Sequence, residues 1–184
     1  LVINEMLPKV AEEKLADYVD IFCEDGYFTV DDTKRLLEAA NKYDIKAKTH
    51  VNQFNAIGGV KESVDLGALS VDHLEEMNEG DFEALKNSDC MPTILPTCSF
   101  FLGIPYGPAR KMIEKGLPVA LATDYNPGSS PSGNMNFVAS IGCIQLQMTP
   151  EEVINATTIN TAYAMGLEKE LGSIAIGKKA NLFI

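Results

Sequence analysis

The 184-residue sequence is poor in positive charge: 15 lysines and arginines stand against 26 aspartates and glutamates, a formal net charge of -11. Nucleic acid and anionic membrane surfaces both require a basic face, so this balance argues against either as a partner. Cysteine is sparse. Cys23, Cys90, Cys98 and Cys143 show no Cys-x-x-Cys pairing and no short regular spacing, so buried free thiols and a reducing cytoplasm are expected. No run approaches the roughly 18 apolar residues of a membrane span, and no basic-then-apolar leader opens the chain. Low-complexity runs and long polar tracts are missing too, which leaves a globular composition, 46% hydrophobic and 22% charged. The length suits one domain with a sizeable core. The chain opens on Leu1 rather than Met and stops at Phe183-Ile184 in what reads as mid-strand, so both ends are expected to be cut.

What is present is an alternation of short β-rich runs with helical segments. Residues 5–16 have helical spacing, with Met6, Leu7, Val10 and Leu15 available for one face. Residues 18–23 (Tyr-Val-Asp-Ile-Phe-Cys) read as a strand. Thr29 is placed as the N-cap of the next helix, with Asp32 at the capping-box position and Leu36, Leu37 and Ala40 inward. Strands follow over 45–51, 69–74, 91–95 and 118–123, separated by helices near 59–66, 81–87 and 107–115. Gly67 and Gly116 stand where a helix-ending glycine belongs. Strands each separated by a helix imply a parallel sheet with right-handed crossovers. The stretch Thr97 to Gly103 reads as an apolar loop, either lining a pocket or forming local core. From Asn136 the chain turns helical, over 137–147 and then from Thr149, an N-cap followed by Pro150, through 155–165. The tail from Gly172 alternates like a small β element with a turn at Gly177-Lys178. Five βα units are too few to close an eight-stranded barrel, so the sheet is either open or the back portion of a (βα)8 barrel.

The two histidines of the chain both fall at strand ends. His50 closes Ile45-Lys-Ala-Lys-Thr-His50, His73 closes Leu69-Ser-Val-Asp-His73, and Asp124 follows the apolar strand in Ala120-Leu-Ala-Thr-Asp124. In a parallel barrel those ends converge on the catalytic face, where two imidazoles and a carboxylate suit a transition metal. The ordinary alternatives are a satisfied core histidine and an Asp serving as helix cap or turn residue. The run after Asp124, Tyr-Asn126-Pro-Gly128-Ser129-Ser130-Pro131, is rich in turn formers. It reads as a surface loop or, given its placement, as a binding loop with backbone N–H groups near Gly128 and Ser129 able to hold a carboxylate or ring oxygen.

These motifs resemble the imidazolonepropionase family of metal-dependent amidohydrolases. The resemblance rests on Lys48-Thr-His50-Val-Asn-Gln53, Ser70-Val-Asp-His73-Leu74, Pro96-Thr-Cys-Ser-Phe-Phe-Leu-Gly103, Ala122-Thr-Asp124-Tyr-Asn126-Pro-Gly128-Ser-Ser130, Met148-Thr-Pro-Glu-Glu152 and Asn160-Thr-Ala-Tyr-Ala-Met-Gly166. It runs over essentially the whole chain, and the Asp-Tyr-Asn-Pro-Gly-Ser-Ser stretch is its most specific part. It implies a partial (βα)8 barrel, roughly strands four to eight, over residues 1–170. Residues 171–184 would begin the return to a small β-sandwich domain.

The implied activity is hydrolysis of 4-imidazolone-5-propanoate to N-formimidoyl-L-glutamate with one divalent metal, zinc or iron. By the same resemblance His50 and Asp124 are metal ligands, Asp124 also accepts the proton of the attacking water, and His73 hydrogen-bonds the water or the developing oxyanion. Gln53 contacts the substrate; some members carry Glu here, but Gln cannot take a proton at neutral pH. Asn126, Gly128 and Ser129 would hold the substrate's polar groups. The family's His-x-His pair of metal ligands is missing, so the chain is expected to be the C-terminal half of such an enzyme. A homodimer is a candidate assembly. The rival readings are another amidohydrolase or aminohydrolase acting on a nitrogen heterocycle, and a catalytically incomplete structural fragment.

Overall fold

The computed structural model describes residues 1–182. Five strands form one sheet in chain order: β1 (Tyr18–Cys23), β2 (Lys46–Val51), β3 (Ser70–His73), β4 (Met91–Ile94) and β5 (Ala120–Leu121). β1 and β2 run parallel over their full length, from Tyr18 opposite Lys46 to Cys23 opposite Val51. β4 and β5 are parallel with Thr93 opposite Ala120 and Ile94 opposite Leu121. Helices α2 (Val30–Asn41), α3 (Gly59–Asp65), α4 (Glu79–Lys86), α5 (Pro96–Leu102) and α6 (Ala109–Glu114) provide the crossovers. The expected parallel α/β alternation is therefore the architecture.

By compactness the chain divides into two units. The first comprises Leu1–Asp72 and Glu76–Cys90; the second comprises His73–Glu75 and the chain from Met91 onward. In the first unit, Thr29 and Asp32 form a reciprocal capping box that starts α2, and Leu37 and Ala40 are fully buried. α3 packs so closely that a Cβ on Gly59 would lie 2.9 Å from both Cys23 Sγ and Val51 Cγ1. Helix α4 begins two residues earlier than expected, because Asn78 caps it in a second box with Asp81. The N-terminal segment differs more. A π-helical turn over Val2–Met6 precedes α1 (Leu7–Glu13), and Lys14 ends α1 in the left-handed conformation. The wider turn breaks the 3.6-residue spacing; Leu7 is buried and Val10 half-buried, whereas Met6 and Leu15 are exposed.

In the second unit the stretch expected as a loop after β4 is a helix, α5. Pro96 supplies its preset first turn and Gly103 its left-handed terminus, with φ +67°. Its first half, Thr97 to Ser99, is buried. β5 is shorter than the expected 118–123 because side chains occupy its backbone acceptors. Asn160 Nδ2 donates to the Val119 carbonyl at 2.8 Å, Thr161 Oγ1 to that of Leu121 at 3.1 Å, and both Thr97 Oγ1 and Ser130 Oγ to that of Thr123 at 2.6 Å.

Beyond β5, α7 (Met135–Ile144) is capped by Asn134, and α8 (Pro150–Thr157) by Thr149 in a box with Glu152. The expected continuous helix breaks at Thr158, where φ and ψ are -126° and -87°, before α9 (Ile159–Ala164). Gly177 forms the expected turn at φ +91°. No strand forms over 172–182 among the described residues: the segment is held by single bonds, such as Lys179 N–H to the Glu170 carbonyl at 2.9 Å, rather than by a ladder. The proposed sandwich return includes Phe183 and Ile184, which lie outside the described residues.

All four cysteines are free thiols. Cys23 and Cys98 have no exposure and Cys90 only 6%. Burial, reinforced by the Asp72 carboxylate for Cys90 and by Asp124 for Cys98, pushes both thiols up to about 12. Thiol titration of the native protein at pH 8 should therefore modify Cys143 first, with Cys23, Cys90 and Cys98 reacting only after denaturant is added. Mass tagging with and without urea checks this order.

Candidate metal and catalytic site

In the first unit, His50 stands one residue before the end of β2. Its Nδ1 lies 2.9 Å from Asp20 Oδ1 and 2.8 Å from Oδ2, on the neighbouring strand β1. A carboxylate on Nδ1 assigns that nitrogen the proton and turns the lone pair to Nε2, the arrangement typical of a metal-binding imidazole.

Gln53 follows β2 in a tightly held turn and is 9% exposed. Asn52, in the left-handed region at φ +56°, donates from Nδ2 to the Glu76 carbonyl at 2.8 Å and to Asp81 Oδ2 at 3.0 Å. On the other side of Gln53, the backbone N–H groups of Phe54 and Asn55 donate to Glu24 Oε2 at 2.9 and 3.3 Å. Glu24 and Asp81 were not legible as site-supporting groups, because a carboxylate after a strand or in a capping box reads as ordinary surface.

Burial alone would raise the Glu24 carboxyl, but the N–H donors of Phe54, Asp25 and Asn55 outweigh it and hold it below its ordinary 4.5. A carboxyl lowered by folding stabilises the protein above its unfolded-state value, and that contribution disappears as pH falls through the lowered, folded-state value. Glu24→Gln is thus expected to cost about 1.5–3 kcal/mol at pH 7, the range for hydrogen bonds to a charged group. The gap from wild type should narrow progressively as pH falls below the ordinary 4.5. Urea unfolding midpoints measured across that range test the sign; a gap that stays constant with pH would overturn the assignment.

In the second unit, His73 ends β3 and is 3% exposed. His73 and Leu74 both take positive φ, +88° and +67°. Two successive side-chain-bearing residues there mark a strained strand end, of the kind concentrated at functional sites. Donor atoms of His73 and Asp124 lie within 4.8 Å of one another.

Asp124, itself at φ +54°, is held by the loop that follows it. Ser129 Oγ donates to Asp124 Oδ2 at 3.1 Å, and Asn126 Nδ2 donates to the Asp124 carbonyl and to Ser129 Oγ, both at 2.7 Å. The N–H groups of Gly128 and Ser129, which the sequence offered to a ligand, both donate to Asn126 Oδ1 at 2.8 Å. In this conformation the loop orders Asp124, and any ligand taken up by those two N–H groups would displace the Asn126 side chain.

The sequence profile of the Amidohydrolase family matches residues 23–184. The chain belongs to the amidohydrolase family. It is 62% identical over 183 residues to a protein from Flavobacterium johnsoniae named imidazolonepropionase, covering 100% of this chain and 44% of that protein. It is 64% identical over 184 residues to one of the same name from Christiangramia forsetii, covering 100% and 45%. The amidohydrolase chain thus spans less than half the length of the curated relatives it matches. Among solved structures it resembles an adenosine deaminase from Xanthomonas campestris with bound zinc, at a TM-score of 0.77 and 16% identity, over 95% of this chain and 46% of that one. That similarity carries the fold: the parallel sheet of this amidohydrolase is part of a (βα)8 barrel.

Proposed function

We propose that this amidohydrolase chain is the C-terminal half of an imidazolonepropionase, opening the ring of 4-imidazolone-5-propanoate to N-formimidoyl-L-glutamate. The observation that carries the reading is the pairing of His73 with a loop-ordered Asp124 at strand ends, in a chain whose relatives bear that name. In the second unit His73 and Asp124 are metal-capable donors within 4.8 Å of one another, and the first unit offers the imidazole of His50. Imidazole and carboxylate donors fit one divalent ion, zinc or iron alike, and the Asp20 bond to His50 Nδ1 supports the fit. His50 and Asp124 are the ligands we assign to this chain.

Such an ion, when bound, supplies Lewis acidity and lowers the pKa of water toward 7. The protein groups divide the remaining work. Asp124 accepts the proton of the water that attacks the ring carbonyl carbon. His73 faces the developing oxyanion and the departing ring nitrogen, so that the C–N bond breaks as that nitrogen gains a proton. Gln53 hydrogen-bonds the substrate without acting as a base. Asn126, Gly128 and Ser129 bind its polar groups by exchanging their internal bonds. Four free cysteines suit a cytoplasmic setting, and no described helix is long and apolar enough to cross a membrane.

The test is ring-opening followed by absorbance, together with elemental metal analysis, on the full-length protein carrying this chain and on the 184-residue chain alone. Turnover with one zinc or iron in the full-length protein, and neither in the isolated chain, is the expected result. A full-length, metal-loaded protein that leaves the imidazolone ring intact would overturn the reading and favour a different nitrogen heterocycle as substrate.

A further inference from the structure

Glu75 is the one acidic residue of the second unit, among those described, that is buried. Its side chain has no exposure. One carboxylate oxygen, Oε1, accepts the Ser99 hydroxyl at 2.9 Å from the buried half of α5. The other, Oε2, carries no hydrogen bond and lies 3.5 Å from His73 Nδ1. A buried carboxylate with a single neutral donor is costly, and a group left in that state calls for a reason. The reason here is its neighbour: the paired residue is an imidazole, in ion-pair contact at 3.5 Å and just outside the roughly 2.7–3.2 Å usual for an N–H···O bond.

We propose that Glu75 is a positioning residue for His73. Ser99 fixes the Glu75 carboxylate, and Oε2 holds the proton of His73 on Nδ1, so that Nε2 carries the lone pair toward the reacting groups. The strained backbone at His73 and Leu74 serves the same end. Positive φ at both residues turns the chain sharply enough to bring a carboxylate two positions on against its own histidine. With Nδ1–H so held, His73 acts first as an acceptor at Nε2. It can donate from Nε2, to the oxyanion and then to the departing nitrogen, only after taking up the proton that Asp124 accepted from the water. This gives His73 a fixed order of action and rests on the reading of the site as an imidazolonepropionase.

The test compares Glu75→Leu and Glu75→Gln with wild type in the full-length, metal-loaded protein. Glu75→Leu should lower kcat by about 100-fold, the lower end for a displaced proton-transfer group, with KM within threefold and metal content unchanged. Glu75→Gln, which can still accept from Nδ1–H, should recover at least tenfold of that loss. Nitrogen-15 NMR of the histidine rings reads the tautomer without substrate. His73 should be Nδ1-protonated in wild type and Glu75→Gln, and shifted to Nε2-protonated in Glu75→Leu. Wild type without ring-opening but with this tautomer pattern would fault the substrate assignment and leave the positioning role standing. A tautomer unmoved by Glu75→Leu, or a kcat within threefold of wild type, would overturn the positioning role itself.

Discussion

Asp124→Asn in the full-length, metal-loaded protein is expected to lower kcat by about 10²–10⁴-fold, the range lost with a positioned proton-transfer group. The substitution isolates chemistry from structure. Asn keeps the shape of Asp and an oxygen that can accept the Ser129 hydroxyl, now at 3.1 Å. The bond from Asn126 Nδ2 goes to the residue 124 carbonyl and is unaffected by the change. The loop should therefore hold its conformation while the carboxylate's charge and basicity are lost. Because Asp124 is also assigned as a ligand, metal content should fall together with kcat, and added zinc should restore occupancy better than it restores turnover. A variant with full activity and one metal per chain would remove Asp124 from both roles. A variant with full metal and little activity would leave it only the proton. The companion substitution Ser129→Ala removes the hydroxyl that orients Asp124 and leaves the carboxylate, so it should cost far less.

Much of the fold was legible because local rules and tertiary structure agree along most of the chain. Tyr-Val-Asp-Ile-Phe-Cys is a strand at the expected bounds, and Thr29 with Asp32 is a capping box visible from residue types alone. Gly67 and Gly116 take the positive φ that their positions at helix ends called for. The misreadings occur where distant groups intervene. β5 is short because Asn160 and Thr161, about 40 residues away, occupy its carbonyls. The 97–103 stretch looked like a loop because its apolar residues lack a clean helical stripe, although Pro96 and Gly103 mark both of its ends.

In the site, His50, His73 and Asp124 stood out as rare polar types at strand ends. The groups that hold them did not. Asp20, Glu24, Glu75 and Asp81 are four of 26 acidic residues. Burial, for Glu24, Glu75 and Asp81, and a bond partner, for the exposed Asp20, separate them from the solvated majority, and those are properties of the folded chain rather than of residue type.

Phe82→Ala should be among the most destabilising single changes in the first unit, costing about 3–5 kcal/mol by the usual loss for a buried aromatic side chain. Phe82 is 1% exposed and is the largest of the fully buried side chains, on α4 beside Asp81. Domains of this size carry only about 5–15 kcal/mol in total, so the loss is a large share of the whole. It also reaches the site through a short path. α4 presents Asp81, Asp81 accepts from Asn52, and Asn52 precedes Gln53. Loosening α4 should therefore free the turn that carries Gln53 and raise KM, even at temperatures where the variant remains folded. Urea unfolding followed by circular dichroism, with KM measured well below the transition, separates the two effects. Asp81→Asn provides the contrast: it keeps Phe82 in the core and weakens the two bonds that Asp81 Oδ2 accepts, from Asn52 Nδ2 and from the Asn78 N–H of the capping box, so its KM should rise with a smaller loss of stability than Phe82→Ala causes. Equal KM values in both variants and wild type would show that the Asn52 turn holds without α4.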